Sequence, residues 1–169
     1  MTLIREDGAG EDRFTRADTL EAALEVDGPV LVPLAIADEF AKARPGAEFG
    51  LTVPGSTPID DVKPHFSGIS LVAIEFPAFA DGRGFSLAKR IAREGFAGTL
   101  RASGPLIADE FADALACGFT EVELPETMAN RQPVQQWMAA KDTMSGHYQT
   151  GYGKGPSILQ KRLAARKGA

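Results

Sequence analysis

The stretch "ISLVAIEFPAFADGRGFSLAKRIAREGFAGTLRAS", residues 69–103, decides the fold class. It opens with a near-continuous β-branched and aromatic run at 69–76, which is typical of a strand buried on both faces. The segment 86–96 then places apolar side chains at helical spacing, with a glycine where the helix would stop. The run 98–103 predicts a second strand. A strand, a helix and a strand in this order predict a parallel βαβ unit.

The same alternation continues in both directions along the chain. Further strands are predicted at 28–35, 48–55 and 120–124, and further helices at 14–26, 36–46, 104–118 and 131–142. The fold class is therefore α/β, and we expect a mostly parallel sheet of about five strands with helical crossovers. Such a sheet is either open and doubly wound or resembles half of a (βα) barrel.

Size and charge limit the domain organisation and the classes of partner. The chain has 169 residues, of which 44% are hydrophobic and 24% charged, and this suits a single domain over 1–169. Its formal net charge of -5 argues against broad nucleic-acid binding, which needs a concentrated basic face. The segment 154–169 contains basic residues and no acid, and is predicted to be a basic C-terminal helix or tail. It is either a solvated helix end or a docking arm for an acidic partner.

Targeting signals are not apparent. The first residues, "MTLIREDGAGEDRF", carry charges where a signal peptide has its apolar region, and no apolar stretch has the length that spans a bilayer. The single cysteine, Cys117, allows no intrachain disulfide. We therefore predict a cytoplasmic protein without membrane contact.

The loop at 77–85 is the first candidate site. It would lie at the carboxyl end of a parallel strand, the edge where α/β proteins build their sites. An Asp-Gly pair fits a tight turn, a second glycine lets the backbone approach another group, and a serine fits the cap of the next helix. The arginine between the glycines, with the amides of a helix start, favours a small anion. The candidate binding residues of this loop are Asp81, Gly82, Arg83, Gly84 and Ser86.

The next predicted strand adds two candidates, Arg101 and Ser103. If the two strands are neighbours, these side chains would lie near Arg83, and two arginines in one crevice favour an anion or an acidic side chain. The alternative is structural. The loop would then be a turn whose aspartate caps backbone amides and whose arginine pairs locally, and Arg101 would form an ion pair with Glu75 or Glu123.

Cofactor and metal motifs are not recognisable, so no cofactor is assigned. The run "GRGFSL" lacks the third glycine of the dinucleotide fingerprint, and no "GxxxxGK[ST]" loop occurs. His65 and His147 are far apart in sequence, which gives no support for a metal site. Cys117 is expected to be a small buried hydrophobe near a helix end, and Trp137 to be a packing residue.

The stretch "FPAFADGRGFSLAKRIAREGFAGTLRASGPLIADEFADALACGF", with "HYQTGY" further on, resembles a family of uncharacterised bacterial proteins. The resemblance covers about residues 28–166 and is specific in "FPxFxDGRGFS" and "LRAxG". It departs from the family pattern at Ala116, where the family has an arginine in "RCGF". Members of this family are often encoded beside sulfite reductase and are labelled oxidoreductases of sulfite reduction.

The resemblance implies a place in sulfur assimilation, with sulfite reductase or another sulfate-assimilation enzyme as the partner. The iron–sulfur centre of sulfite reduction needs a set of thiolates, and this chain has one cysteine. We therefore favour an accessory protein of assimilatory sulfate or sulfite reduction, which binds a partner enzyme or a small anion through the DGRG loop. There are two alternatives. The first is an enzyme, an oxidoreductase by its family label, with an unrecognised active site at the carboxyl edge that uses Asp81 or Cys117. The second is a structural scaffold without a site.

Overall fold

The structure, a computed structural model, describes residues 1–143. In this range the chain forms eight strands, β1 to β8, and seven α-helices, α1 to α7. The strands are Thr2–Arg5, Gly8–Gly10, Thr15–Arg16, Val30–Pro33, Phe49–Pro54, Leu71–Glu75, Thr99–Ser103 and Glu121–Leu124. The helices are Leu20–Glu25, Ala37–Ala43, Ile59–Val62, Arg83–Arg93, Phe111–Cys117, Glu126–Ala129 and Val134–Thr143. The predicted basic tail and His147 lie outside the described residues.

All eight strands belong to one mixed sheet, in the order β2-β1-β8-β7-β6-β5-β4-β3. Strands β3 to β8 run parallel, whereas β1 pairs antiparallel with β8 and β2 antiparallel with β1. The α/β class is confirmed, but the expected sheet of about five mostly parallel strands is wrong. The three additional strands have only four, three and two residues. β2 and β3 are too short to show a strand pattern. Pairing holds each of the three in the sheet: β1 with the distant β8, β2 with β1, and β3 with β4.

The connection between β2 and β3 forces the sheet to curl. These strands are the two edges of the sheet, yet only residues 11–14, which we call the strap, join them. An extended chain covers at most about 18 Å between Gly10 and Thr15, whereas the edges of a flat eight-stranded sheet lie about 34 Å apart. The sheet is therefore curled into a half-barrel, and the strap crosses its inner face. Because β3 to β8 follow one another in chain order, the doubly wound alternative does not apply.

The two faces of the sheet are buried in different ways. In β6, Val72 and Ile74 belong to the large apolar cluster that includes the helices, while Leu71 and Ala73 point to the inner face. Phe14 of the strap packs on these inner residues. The predicted burial of this strand on both faces is thus confirmed, and the strap supplies the second cover.

Arg101 joins the strap to the middle of the sheet. Its side chain is 1% exposed, and Nη1 and Nη2 each donate to one carboxylate oxygen of Asp12 at 2.7 Å. Its Nε donates to Glu121 at 2.7 Å, and Arg5 donates to the other oxygen of Glu121 at 3.1 Å. Partial burial raises the pKa of Asp12, but the hydrogen bonds from Arg101 and from the backbone N–H of Phe14 outweigh burial, so the pKa is lowered.

The helical part of the chain agrees with the sequence in its larger elements. Trp137 on α7 is fully buried, and its Nε1 donates to the backbone oxygen of Gln132 at 3.3 Å. The helix expected from residue 104 is shorter, because a 3-10 turn at Ala108–Glu110 precedes α5. Cys117 is buried at the end of α5, as predicted. Between residues 1 and 143, no helix combines the length and the apolar character needed to cross a bilayer.

We expect Arg101→Ala to lower the free energy of unfolding by about 3–5 kcal/mol, because it leaves the buried carboxylate of Glu121 without its closest cation. Urea denaturation measures this change. Arg13→Ala is the matched control, because Arg13 is also in the strap but is 63% exposed in its ion pair with Glu48. Its effect should stay within about 1 kcal/mol. Similar losses for both variants would contradict a special role for the buried pair.

Candidate functional site

The predicted loop forms the start of α4 at the carboxyl edge of β6. Gly82 is the residue before the helix, and the helix begins at Arg83. Ser86 therefore lies in the first turn and does not cap the helix. The cap contact comes from Asp81, whose carboxylate accepts the backbone N–H of Arg83 at 3.2 Å. An aspartate in this position satisfies one of the donors that a helix start leaves unpaired.

Asp81 also binds the side chain of the same arginine. The Nε of Arg83 donates to Oδ1 at 2.9 Å, and Nη2 donates to Oδ2. The hydrogen bonds from the Arg83 side chain and then from its backbone N–H lower the pKa of Asp81 to about 2. The local pairing that the structural alternative describes is therefore present. It leaves Nη1 of Arg83 without a hydrogen bond to any residue in 1–143.

Gly84 permits close packing, although its contacts are with protein. A Cβ at Gly84 would lie 2.4 Å from Cζ of Phe76, and a Cβ at Gly55 would lie 2.8 Å from the nitrogen of Gly84. The first turn of α4 therefore rests directly on the loop that follows β5. Neither glycine has a positive φ, so contact distance and not backbone conformation disfavours a larger residue at these positions.

A cleft of about 410 Å³ lies between the loop after β5 and the outer face of α4. Its polar side chains are two arginines and three hydroxyl groups, and we call it the cationic cleft. These residues are Arg83, Arg90, Ser56, Thr57 and Ser86. Arg90 is exposed, and its guanidinium has no hydrogen bond or ion pair with another described residue. The cleft thus has unneutralised positive charge and several hydrogen-bond donors, the combination that binds oxyanions.

A second cleft, of about 370 Å³, adjoins the first on the side of β6 and β7. We call it the acidic cleft, because the carboxylates of Glu75 and Asp81 line it. It shares Gly55, Ser56 and Arg83 with the cationic cleft. Consequently the charge along this edge changes sign across the Asp81–Arg83 pair.

The structure separates the two candidates of β7. Ser103 lines the acidic cleft, where its hydroxyl donates to Glu123 at 2.8 Å and accepts from Arg16 at 3.1 Å. Arg101 lines neither cleft, because its side chain is buried under the strap. The ion pair with Glu123 that the alternative named is present at 3.9 Å, but the strap and Glu121 hold Arg101 more closely.

Sequence reasoning missed four polar lining residues: Ser56, Thr57, Glu75 and Arg90. Two signals pointed to three of them, Ser56, Thr57 and Arg90. The turn "PGSTP" follows a predicted strand and so belongs to the same sheet edge as the loop at 77–85. Arg90 follows Arg83 by seven residues, a spacing that places both on one face of a helix.

Cys117 does not have the surroundings of a nucleophile. It is buried, and burial raises the pKa of its thiol above the ordinary value, which favours the unreactive protonated form. Among the residues that the structure describes, no group of three or more His, Cys, Asp or Glu side chains is placed to hold a metal ion.

Comparison with known proteins identifies one family. The model of a family described as "Bacterial protein of unknown function (DUF934)" matches residues 50–158. The match includes both clefts and the elements from β5 to α7. No curated protein and no solved structure shows a significant match.

We expect Arg83→Ala to raise the pKa of Asp81 from about 2 towards its ordinary value of 3.8, because the strongest of its hydrogen bonds is removed. The backbone N–H of residue 83 remains, so the pKa should stay below 3.8. A carbon-detected NMR titration of the carboxyl groups measures this value. Arg93→Ala, further along α4, should leave it at about 2. An unchanged pKa in Arg83→Ala would show that the pair is not formed in solution.

Proposed function

The chain belongs to the DUF934 family of bacterial proteins of unknown function, and we propose that it is an accessory protein of assimilatory sulfate or sulfite reduction that binds a small sulfur oxyanion in the cationic cleft. The observation that carries the proposal is the presence of two arginines and three hydroxyl groups in one open cleft. Five of the predicted binding residues belong to this part of the chain: Asp81 and Gly82 shape the turn, Gly84 lets the helix pack on the loop after β5, and Arg83 and Ser86 line the cleft.

The lining residues suit an oxyanion chemically. Sulfite and sulfate present several acceptor oxygens, which a guanidinium fork and neighbouring hydroxyl groups can bind at the same time. Arg90 brings a positive charge that no described carboxylate neutralises. Arg83 brings Nη1, while Asp81 fixes the orientation of the guanidinium through the other nitrogens. A preorganised arginine loses less side-chain entropy when an anion binds.

The sulfur context rests on the resemblance to proteins encoded beside sulfite reductase. It assigns the anion to the sulfur oxyanions and the partner to sulfite reductase or another sulfate-assimilation enzyme. Because the chain has a single cysteine, we propose that the partner carries the redox centre.

The partner would contact the loop that forms the rim of the acidic cleft. Residues 77–80 are all exposed, and Phe79 is 55% exposed although it is a large apolar side chain. Pro77 at the start of this segment lines the cleft itself. Exposed aromatic side chains are frequent anchors of protein interfaces. A partner bound there would lie beside the bound anion.

We expect the protein to bind sulfite or sulfate, as measured by isothermal titration calorimetry. Arg90→Ala should weaken binding about tenfold, because it removes a charge-assisted hydrogen bond. Arg93→Ala is the matched control, since Arg93 lies on the same helix, is exposed and is not among the lining residues of either cleft. It should bind like the wild type. Absence of binding, or equal effects of the two variants, would refute the cationic cleft as the site.

A deletion strain should grow on cysteine and fail on sulfate as the sole sulfur source. The wild-type gene and Arg93→Ala should restore growth on sulfate, whereas Arg90→Ala should not. Phe79→Ser should also fail to restore growth while its purified protein still binds the anion, because this change removes the partner contact alone. Normal growth of the deletion strain on sulfate would contradict a place in sulfur assimilation.

A further inference from the structure

The cationic and acidic clefts are continuous, and this continuity constrains the ligand. They share three residues, and the Asp81–Arg83 pair lies at their junction. The cationic cleft alone has a volume of about 410 Å³, of which an inorganic oxyanion would occupy a small part. A ligand that fills the site therefore extends beyond the oxyanion, and the open direction beside the shared residues is the acidic cleft.

Glu75 is the group that such an extension would meet. Its side chain is 46% exposed, and one oxygen accepts a hydrogen bond from Arg16 at 3.3 Å. The same arginine also binds the buried Glu123 at 3.1 Å, so it is shared between two carboxylates. Its charge therefore cannot neutralise both.

The charge balance of the inner face also indicates that Glu75 is not fully neutralised. The ion pairs around Arg101 and Arg16 connect three arginines with four carboxylates and leave one negative charge in excess. The members are Arg5, Arg16, Arg101, Asp12, Glu75, Glu121 and Glu123. Glu75 is the most exposed of the four carboxylates, and the distance to its nearest arginine nitrogen is the longest of the four. The excess negative charge is therefore most accessible at Glu75.

We propose that the two clefts form one site for a zwitterion, in which an oxyanion lies against Arg83 and Arg90 and an ammonium group against Glu75. The inference rests on the proposed oxyanion site and names the class of compound that the site selects. Ser56 lines both clefts, so it lies between the two ends of such a ligand. Small aminoalkyl sulfonates and related amino oxyanions have this chemistry.

The test compares two probes that differ only in the ammonium group, 2-aminoethanesulfonate and ethanesulfonate, by isothermal titration calorimetry. The wild type should bind the amino compound about fivefold more tightly, as expected for one partly solvated ion pair. Glu75→Gln keeps the size of the side chain and should remove this preference. Glu39→Gln, on the exposed part of α2, is the matched control and should keep it. Arg90→Ala should weaken both probes by the same factor.

The outcomes separate the inference from the proposed function. If sulfite or sulfate binds but the wild type shows no preference for the amino compound, or if Glu75→Gln keeps the preference, the zwitterion site is refuted and the oxyanion site stands. If neither the inorganic anions nor the sulfonates bind, both proposals fail. An unchanged thermal unfolding midpoint for Glu75→Gln, which the exposure of Glu75 leads us to expect, shows that a lost preference comes from the site and not from unfolding.

Discussion

The connection of four residues between the two edges of the sheet is the constraint on which the structure depends. A chain of that length cannot cross a flat sheet of eight strands, so the sheet must curl around it. The strap then occupies the inner face, with Phe14 on the apolar half and Asp12 on the polar half. In a closed barrel the inner face is filled by side chains of the strands. Here part of that filling comes from the strap.

Arg101 explains how an exposed, polar segment is held in a defined position. A buried ion pair contributes little net stability compared with apolar packing, because both charges lose their hydration. The ion pairs instead fix the geometry. The planar guanidinium binds both oxygens of Asp12 in one orientation through Nη1 and Nη2, and it binds Glu121 through Nε. The apolar helix side of the sheet therefore supplies most of the stability, while the polar inner face fixes where the strap lies.

The sequence predicted the parts of the fold that depend on local pattern. Strands β4 to β8 and helices α2, α4 and α7 have clear apolar runs or helical spacing, and each was expected close to its observed position. Strands β1 to β3 were not predicted, because β2 and β3 are too short to show a pattern and β1 joins the sheet through β8, which is far along the chain. Arg101 was expected in the candidate site at the sheet edge. It is instead buried under the strap, because it binds Asp12, which is 89 positions away in sequence.

The loop at 77–85 was predicted to lie at the carboxyl edge, and the structure shows why that position is chemically useful. The strap lies on the inner face, and two clefts open where the loops after β5 and β6 meet. Gly55 and Gly84 allow those loops to touch, which brings the hydroxyl groups of one loop beside the arginines of α4.

Glu75 connects this edge to the inner face. It is the last residue of β6, in register with Ser103, and it belongs both to the acidic cleft and to the ion pairs beneath the strap. The ion pairs that position the strap therefore leave the carboxylate of Glu75, which shares Arg16 with Glu123, only partly neutralised beside the acidic cleft. In this way the polar side chains of β6, β7 and β8 both hold the strap in place and contribute negative charge to the acidic cleft.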